Sequence, residues 1–389
     1  MTVPVLMQIP CLFCPDMHER QFSLNSKTPQ RNDGKSTMSQ PLSVFMGSAA
    51  KATIAEHGWQ DAPFRTLVGA SGGPKWLILS EMDQVLASQL LTHTSRPMTL
   101  LGSSIGTWRH ACLTQPDPVA AIKRLQHIYL YQQYSSPKPT PQEVSEVAGT
   151  MLREALGPQG AQHLIHHPTL RNAIVTARAK NIARGQKGLS LVAAMGVATL
   201  TNAWSRNGLE RFFQRVIFCH PALTAAPFTA GFDTQMIALA ENNLISALKA
   251  SGAIPLLMQC ESSIAGAGEG PFWDGGIIDY HFSLDTPPSD GLVLYPHFCA
   301  QLTPGWFDKK LRGRIGSPHL SNLVLICPSD EFLMSLPYGK IPDRGDFRAM
   351  SPEQRVAYWE VCIRESQRLA EAFHDLVTGD DPLRGAMFL

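Results

Sequence analysis

The stretch LLGSSIGTWRH, from Leu100 to His110, places Ser104 between Gly102 and Gly106. The apolar run MTLLG precedes the serine, and a run compatible with a helix, Ile105 to Leu113, follows it and ends before Pro116. Glycines in the spacing G-x-S-x-G leave room for a sharp turn between a strand and a helix, so the serine hydroxyl projects outward. The stretch therefore predicts a strand, a tight turn and a helix, with Ser104 presented as a nucleophile.

A second glycine-rich turn lies upstream of this serine. The run FRTLVG (Phe64 to Gly69) is typical of a strand, and Pro74 suits the first turn of the helix that follows. The backbone N–H groups of Gly72 and Gly73 then lie at a helix N-terminus, where free donors and the helix dipole favour an anion. Lys75 follows Pro74 rather than glycine, so the turn is not a nucleotide-binding P-loop. We expect an oxyanion-binding loop, the alternative being a plain strand-to-helix turn.

A third motif supplies a carboxylate. In GPFWDGGIIDYH (Gly270 to His281), Asp274 precedes Gly275 and Gly276, which allow another backbone to approach closely. A carboxylate within hydrogen-bond reach of a serine can take its proton. The alternative interpretation is an Asp-Gly hairpin turn.

Elsewhere the chain alternates short apolar runs with amphipathic stretches, which predicts an α/β fold with a mainly parallel central sheet. Further strands are predicted at residues 173–177, 215–219, 291–296 and 322–328, and helices at 141–156, 188–203 and 351–376. Residues 1–45 are predicted to be a disordered extension and residues 46–389 one hydrolase domain, with a mainly helical elaboration around 115–214.

Composition excludes several classes of protein. The 389 residues include 33 Lys and Arg against 32 Asp and Glu, without a basic stripe, so we expect no nucleic-acid partner. Eight cysteines are scattered along the chain and the N-terminus lacks a basic n-region, so we expect a cytoplasmic protein. The pair Cys11 and Cys14 has no second half, and we expect no metal. The longest apolar run, Leu189 to Leu200, is too short to span a bilayer.

The three motifs resemble those of the patatin family of serine lipid acyl hydrolases. The family has an oxyanion loop with consecutive glycines and a basic residue, a G-x-S-x-G elbow and a D-G-G/A motif, in that order. SGAIPLLM (Ser251 to Met258) also resembles the family segment A-S-x-A-I-P before the aspartate. The resemblance covers about residues 64–280. It departs from the family at Ser71 and Trp76, where the family loop has glycines.

The resemblance implies a three-layer α/β/α patatin-like fold that cleaves carboxylic esters of lipids or phospholipids without a cofactor. Ser104 would be the nucleophile, Asp274 its partner in a dyad, and Gly72 and Gly73 the oxyanion hole. The supporting residues would be Lys75, Gly102, Gly106, Gly275 and Gly276. A lipid substrate implies transient contact with a membrane surface.

Three alternatives stay open at this point. An acyltransferase would use the same acyl-serine intermediate. A noncatalytic lipid-binding protein would keep the fold without activity, and the departures at Ser71 and Trp76 favour it. An α/β-hydrolase would need a histidine, such as His281, His297 or His319, but its HGGG-type oxyanion motif is missing from the sequence.

Overall fold

The computed structural model describes residues 40–185, 188–224, 232–282, 291–314 and 321–389. Within these ranges the strands are β1 Leu42–Met46, β2 Phe64–Gly69, β3 Met98–Ser103, β4 Leu170–Ala179, β5 Phe213–Cys219, β6 Thr234–Ala238, β7 Glu261–Ile264, β8 Gly268–Asp274, β9 Leu292–Pro296, β10 Leu323–Pro328 and β11 Ala386–Phe388. The α-helices are α1 Ser48–His57, α2 Ser80–Val85, α3 Ile105–Leu113, α4 Pro118–Leu130, α5 Pro141–Leu156, α6 Gly160–Ile165, α7 Gly188–Trp204, α8 Glu241–Gly252, α9 Asp330–Ser335, α10 Asp346–Ala349 and α11 Pro352–Thr378.

These strands form one sheet in the order β11-β1-β10-β9-β2-β3-β4-β5-β6, with β8 paired to β4 and β7 paired to β8. The antiparallel pairs are β1 with β10, β4 with β5, β4 with β8, and β7 with β8, and the remaining pairs are parallel. Every residue of β9 and β10 is buried, as expected for central strands covered by helices on both faces. The α/β class with a mainly parallel sheet is confirmed.

The predicted elements nearest the motifs occur where the sequence places them. The strands β2 and β3 follow the two predicted apolar runs, and α3 has its predicted bounds. The final helix begins after Ser351, whose hydroxyl accepts the N–H of Gln354 in a capping box. The helix after the first glycine turn differs from a regular α-helix: it begins as a 3₁₀ segment, Gly73–Leu79, before α2.

One predicted boundary needs correction. The extension predicted for residues 1–45 overlaps β1, because alternate residues of this strand are buried and the whole strand pairs with β10. The segment around 115–214 contains the helices α4 to α7 and the strand β4, which includes the strand predicted at 173–177. Cys11, Cys14 and His319 lie outside the described residues.

Candidate active site

The strand β4 aligns the ends of β3 and β8, although these strands are far apart in the sequence. Ser103, the last residue of β3, is opposite Val175, and Asp274, the last residue of β8, is opposite Thr176. The other edge of β4 is occupied by β5, so β3 and β8 meet end to end along one edge. The register of this edge therefore brings Ser104 and Asp274 together.

Ser104 occupies the turn between β3 and α3 in a left-handed conformation, with φ 55° and ψ −129°. Such a backbone costs about 1–3 kcal/mol in a residue with a side chain, and it occurs where the surrounding structure imposes it. The N–H of Ser104 donates to Ser251 Oγ at 2.9 Å, and that hydroxyl donates to the Val175 carbonyl at 2.6 Å. Ser104 Oγ donates to Asp274 Oδ2 at 2.8 Å. The strained turn thus directs the hydroxyl onto the carboxylate.

The glycines around Ser104 and Asp274 are required by close backbone approach. A Cβ on Gly106 would overlap the carbonyl oxygen of Gly69, and one on Gly275 would overlap the carbonyl oxygen of Val175. A Cβ on Gly102 would lie 2.9 Å from the amide nitrogen of Thr107. The spacing of small residues therefore follows from the packing of α3 and β8 against neighbouring strands.

Both oxygens of the Asp274 carboxylate accept a hydrogen bond. Its Oδ1 accepts the N–H of Gly276 at 2.7 Å and its Oδ2 accepts the Ser104 hydroxyl. Burial raises the pKa of Asp274, while the positive charge of Arg344 and these hydrogen bonds oppose the rise. A buried carboxylate with a raised pKa and a hydroxyl within reach has the properties of a general base.

The loop that carries Gly72 and Gly73 packs directly against this pair. The N–H of Ser71 donates to the Tyr280 carbonyl at 2.9 Å, and its hydroxyl shares a hydrogen bond with Ser103 Oγ at 2.8 Å. Gly73, with φ +56°, begins the 3₁₀ segment, whose first N–H groups have no intrahelical acceptor. The loop therefore presents backbone donors beside the residue that precedes Ser104.

Both departures from the family loop have a structural role. Ser71 is buried and joins the loop to the end of β3 by its hydroxyl, 2.6 Å from where a Cβ on Gly276 would lie. Trp76 is buried and packs edge-on against Tyr129, with ring centroids 5.8 Å apart. Ser71 therefore packs against the end of β3, and Trp76 packs against α4.

The helix α3, which follows the turn at Ser104, is buried along its whole length. Arg109 forms a bidentate ion pair with Asp83 of α2, with N–O distances of 2.7 and 2.6 Å. The indole N–H of Trp108 donates to the Leu248 carbonyl of α8. Buried, doubly hydrogen-bonded pairs of this kind hold one geometry, so α3 is fixed in orientation behind Ser104.

Two cationic residues near the loop were missed by sequence reasoning. Lys309 Nζ lies 3.8 Å from the centroid of the Tyr280 ring, and the guanidinium of Arg344 lies beside Gly73, with Nε 2.8 Å from where a Cβ would stand. Lys75, which the motif predicted, lies with Nζ 4.9 Å from the centroid of Phe298. Lys309 belongs to the 3₁₀ segment Trp306–Lys310 and Arg344 to the turn before α10, both outside the three motifs, and no local pattern marks them.

Among the described residues, His281, His297 and His110 form no hydrogen bond with Ser104 or Asp274. His281 and His297 are buried against each other, with ring centroids 4.3 Å apart. Burial lowers the pKa of His297 to about 3 and that of His281 well below its usual value. His110 packs beside Gly69, and burial lowers its pKa to about 3. The acid thus contacts Ser104 directly, and none of these three rings bridges them.

Among the described residues, one group of metal-ligating side chains comes together: His281, His297 and Cys299, whose ligand atoms lie within 4.8 Å of one another. The Nδ1 of His281 accepts the N–H of Thr303 at 2.9 Å, so the proton of this neutral ring is on its other nitrogen. Burial raises the pKa of the Cys299 thiol to about 11, so the thiol stays protonated at neutral pH.

Comparison with known proteins leaves the family open. No protein-family model matches the chain, and no curated protein matches it significantly. Among solved structures, VipD from Legionella pneumophila aligns with 13% identity and a TM-score of 0.30, over 93% of this chain and 76% of that chain. The ExoU-SpcU complex from the type III secretion system of Pseudomonas aeruginosa aligns with 14% identity and a TM-score of 0.28, over 96% of this chain and 62% of that chain. At these scores neither structure assigns a family or a function.

Proposed function

We propose that this protein is a patatin-type serine hydrolase that cleaves carboxylic ester bonds of lipids through an acyl intermediate on Ser104. The observation that carries the proposal is the direct 2.8 Å hydrogen bond from Ser104 Oγ to the buried carboxylate of Asp274, at a strained turn between a strand and a helix. The resemblance of the three motifs to the patatin family supports the same assignment.

The chemistry needs only groups of this chain, the ester and water. Ser104 Oγ attacks the carbonyl carbon as Asp274 takes its proton, and the backbone N–H groups of Gly72 and Gly73 stabilise the oxyanion. The C–O bond to the alcohol then breaks, and Asp274 returns the proton to the leaving oxygen. Water attacks the acyl group, its proton passes through Asp274 to Ser104 Oγ, and the carboxylic acid leaves.

Turnover of a short-chain nitrophenyl ester tests this proposal. We expect Ser104→Ala to lose at least about 10³-fold in kcat, because the acyl intermediate cannot form. The variant Ser88→Ala is the matched control, since this exposed hydroxyl donates only to backbone carbonyls of its own helical turn, and its kcat should stay within about tenfold of wild type. Comparable activity of the two variants would exclude Ser104 as the nucleophile.

A surface of the helix α7 supports contact with lipid. This helix has no charged residue, and its exposed side consists mainly of apolar residues, including Leu189, Leu200 and Trp204, which are 77, 75 and 91% exposed. The exposed residues Arg184 and Arg211 flank it. An apolar face with tryptophan and flanking arginines fits the interface of an anionic bilayer, and we propose that α7 docks there. No helix of the described residues is both long and apolar enough to cross a membrane.

A further inference from the structure

Three cationic side chains beside the candidate site lack acidic partners. In the part of the chain that the structure describes, Lys75, Lys309 and Arg344 form no ion pair with a carboxylate, although each is half-buried. Of the three buried arginines among the described residues, Arg109 and Arg215 are paired with Asp83 and Asp279. The third, Arg355, donates instead to the backbone carbonyl of Gln132. Burying a cation without a partner is costly, so an unpaired group of three requires an explanation.

The three cations converge on the oxyanion loop. Arg344 approaches Gly73 directly, and Lys75 lies over Phe298, whose ring is 2.7 Å from where a Cβ on Gly72 would stand. Lys309 lies over Tyr280, whose carbonyl accepts the N–H of Ser71 in the same loop.

The charges act on one another and on the candidate base. Burial lowers the pKa of the Lys309 ammonium, and the positive charges of Lys75 and Arg344 lower it further, whereas Tyr280, which is hydrogen-bonded to the ammonium, opposes the fall. The charges of Arg344 and Lys309 both favour the ionised form of Asp274. Arg344 beside Gly73 and Lys309 over Tyr280 lie against the loop whose Ser71 contacts Ser103 and Gly276, which flank the Ser104–Asp274 pair.

We infer that Lys309 and Arg344, together with Lys75, form a subsite for an anionic group, a phosphate or a carboxylate, on the alcohol portion of the ester that is cleaved. The inference rests on the proposed function and names the substrate class. A guanidinium binds either anion through two parallel hydrogen bonds, while ammonium groups add charge without a fixed geometry. A neutral ester brings no negative charge to the three cations and is therefore the poorer substrate.

Three soluble esters with one acyl group test the subsite: 1-butyrylglycerol, its 3-phosphate, and the butyryl ester of glyceric acid at the equivalent hydroxyl. Butyrate release gives kcat/KM for each with the full chain. We expect both anionic esters to exceed the neutral ester by at least about tenfold, with the phosphate first because it carries more charge. The preference should fall as salt is added.

Lys309→Gln and Arg344→Gln should each reduce the ratio of anionic to neutral kcat/KM by about tenfold or more. Arg344→Lys should keep part of it, because the charge remains without the planar fork. Lys310→Gln and Arg348→Gln change exposed neighbours and are the matched controls, whose ratio should equal that of wild type. A wild-type ratio near one, or an equal fall in the controls, would overturn the subsite.

Calorimetric binding of glycerol 3-phosphate to Ser104→Ala separates this inference from the proposed function. We expect measurable binding that Lys309→Gln and Arg344→Gln weaken by about tenfold. If glycerol 3-phosphate binds in this pattern but the wild-type protein cleaves none of the three esters, the proposed hydrolase activity is refuted and the subsite is supported. If the protein cleaves the esters but shows neither this binding nor a preference for anionic esters, the hydrolase activity is supported and the subsite is refuted.

Discussion

Replacing Asp274 by asparagine separates the role of its charge from that of its shape. The side chain is buried, with Oδ1 bonded to the Gly276 N–H and Oδ2 bonded to Ser104. Asparagine can keep the first contact through its oxygen and turn its NH₂ group toward Ser104 Oγ. The fold is then retained, but the serine proton has no acceptor. We expect ester turnover to fall by about 10²- to 10⁴-fold, the usual contribution of a general base.

The same substitution should stabilise the protein above the pKa of Asp274. Burial raises the pKa of this carboxyl in the folded state, so the folded state holds a proton that the unfolded state has already released. Its contribution to stability is therefore greatest at low pH and is lost as the pH rises through the folded-state pKa. Relative to wild type, we expect Asp274→Asn to gain about 1 kcal/mol in the free energy of unfolding at pH 8, with a smaller gain in acid.

Two measurements on one preparation check both parts. Nitrophenyl-ester turnover gives the rate, and thermal unfolding followed by circular dichroism at several pH values gives the stability. Asp330→Asn, an exposed aspartate, is the control and should change neither quantity. A folded Asp274→Asn variant with more than about a tenth of wild-type turnover would refute the role of Asp274 as the base.

Three further predictions concern the loop, the histidines and α7. Gly73→Ala should lower turnover by about 10²-fold, since it disturbs the oxyanion donors, whereas Gly58→Ala, with a similar φ of +69° and open space around it, should not. Replacement by glutamine should leave turnover within about tenfold at each of His110, His220, His281, His297 and His319; a folded, inactive histidine variant beside an active Asp274→Asn would indicate a triad. Leu200→Glu should reduce co-sedimentation with phosphatidylglycerol vesicles by about tenfold, while Met334→Glu, which is also 75% exposed, should not; equal losses would exclude α7 as the docking surface.

The sequence predicts the elements around Ser104 because they depend on local patterns. The bounds of α3 follow from its apolar spacing and the proline beyond it, and β2 and β3 follow from short apolar runs that end in glycine. A sharp turn at Ser104 is predictable for the same reason, since only small flanking residues permit it.

The long-range features had no comparable signal. The meeting of Ser104 with Asp274 depends on the register of β3 and β8 along β4, which no local pattern encodes. The motif resemblance alone pointed to that pair. Lys309 and Arg344 reach the site from a 3₁₀ segment and a turn that are far apart in the sequence, and their importance lies in the absence of an acidic partner among the described residues, which only three-dimensional packing reveals.

Labelling with a fluorophosphonate tests the central claim most directly, because the probe reacts with an activated serine whatever the natural ester is. Mass spectrometry of the digested protein should place the adduct on Ser104 in wild type, with none in Ser104→Ala and much slower formation in Asp274→Asn. A folded wild-type protein that stays unlabelled, or an adduct on a different serine, would contradict the account.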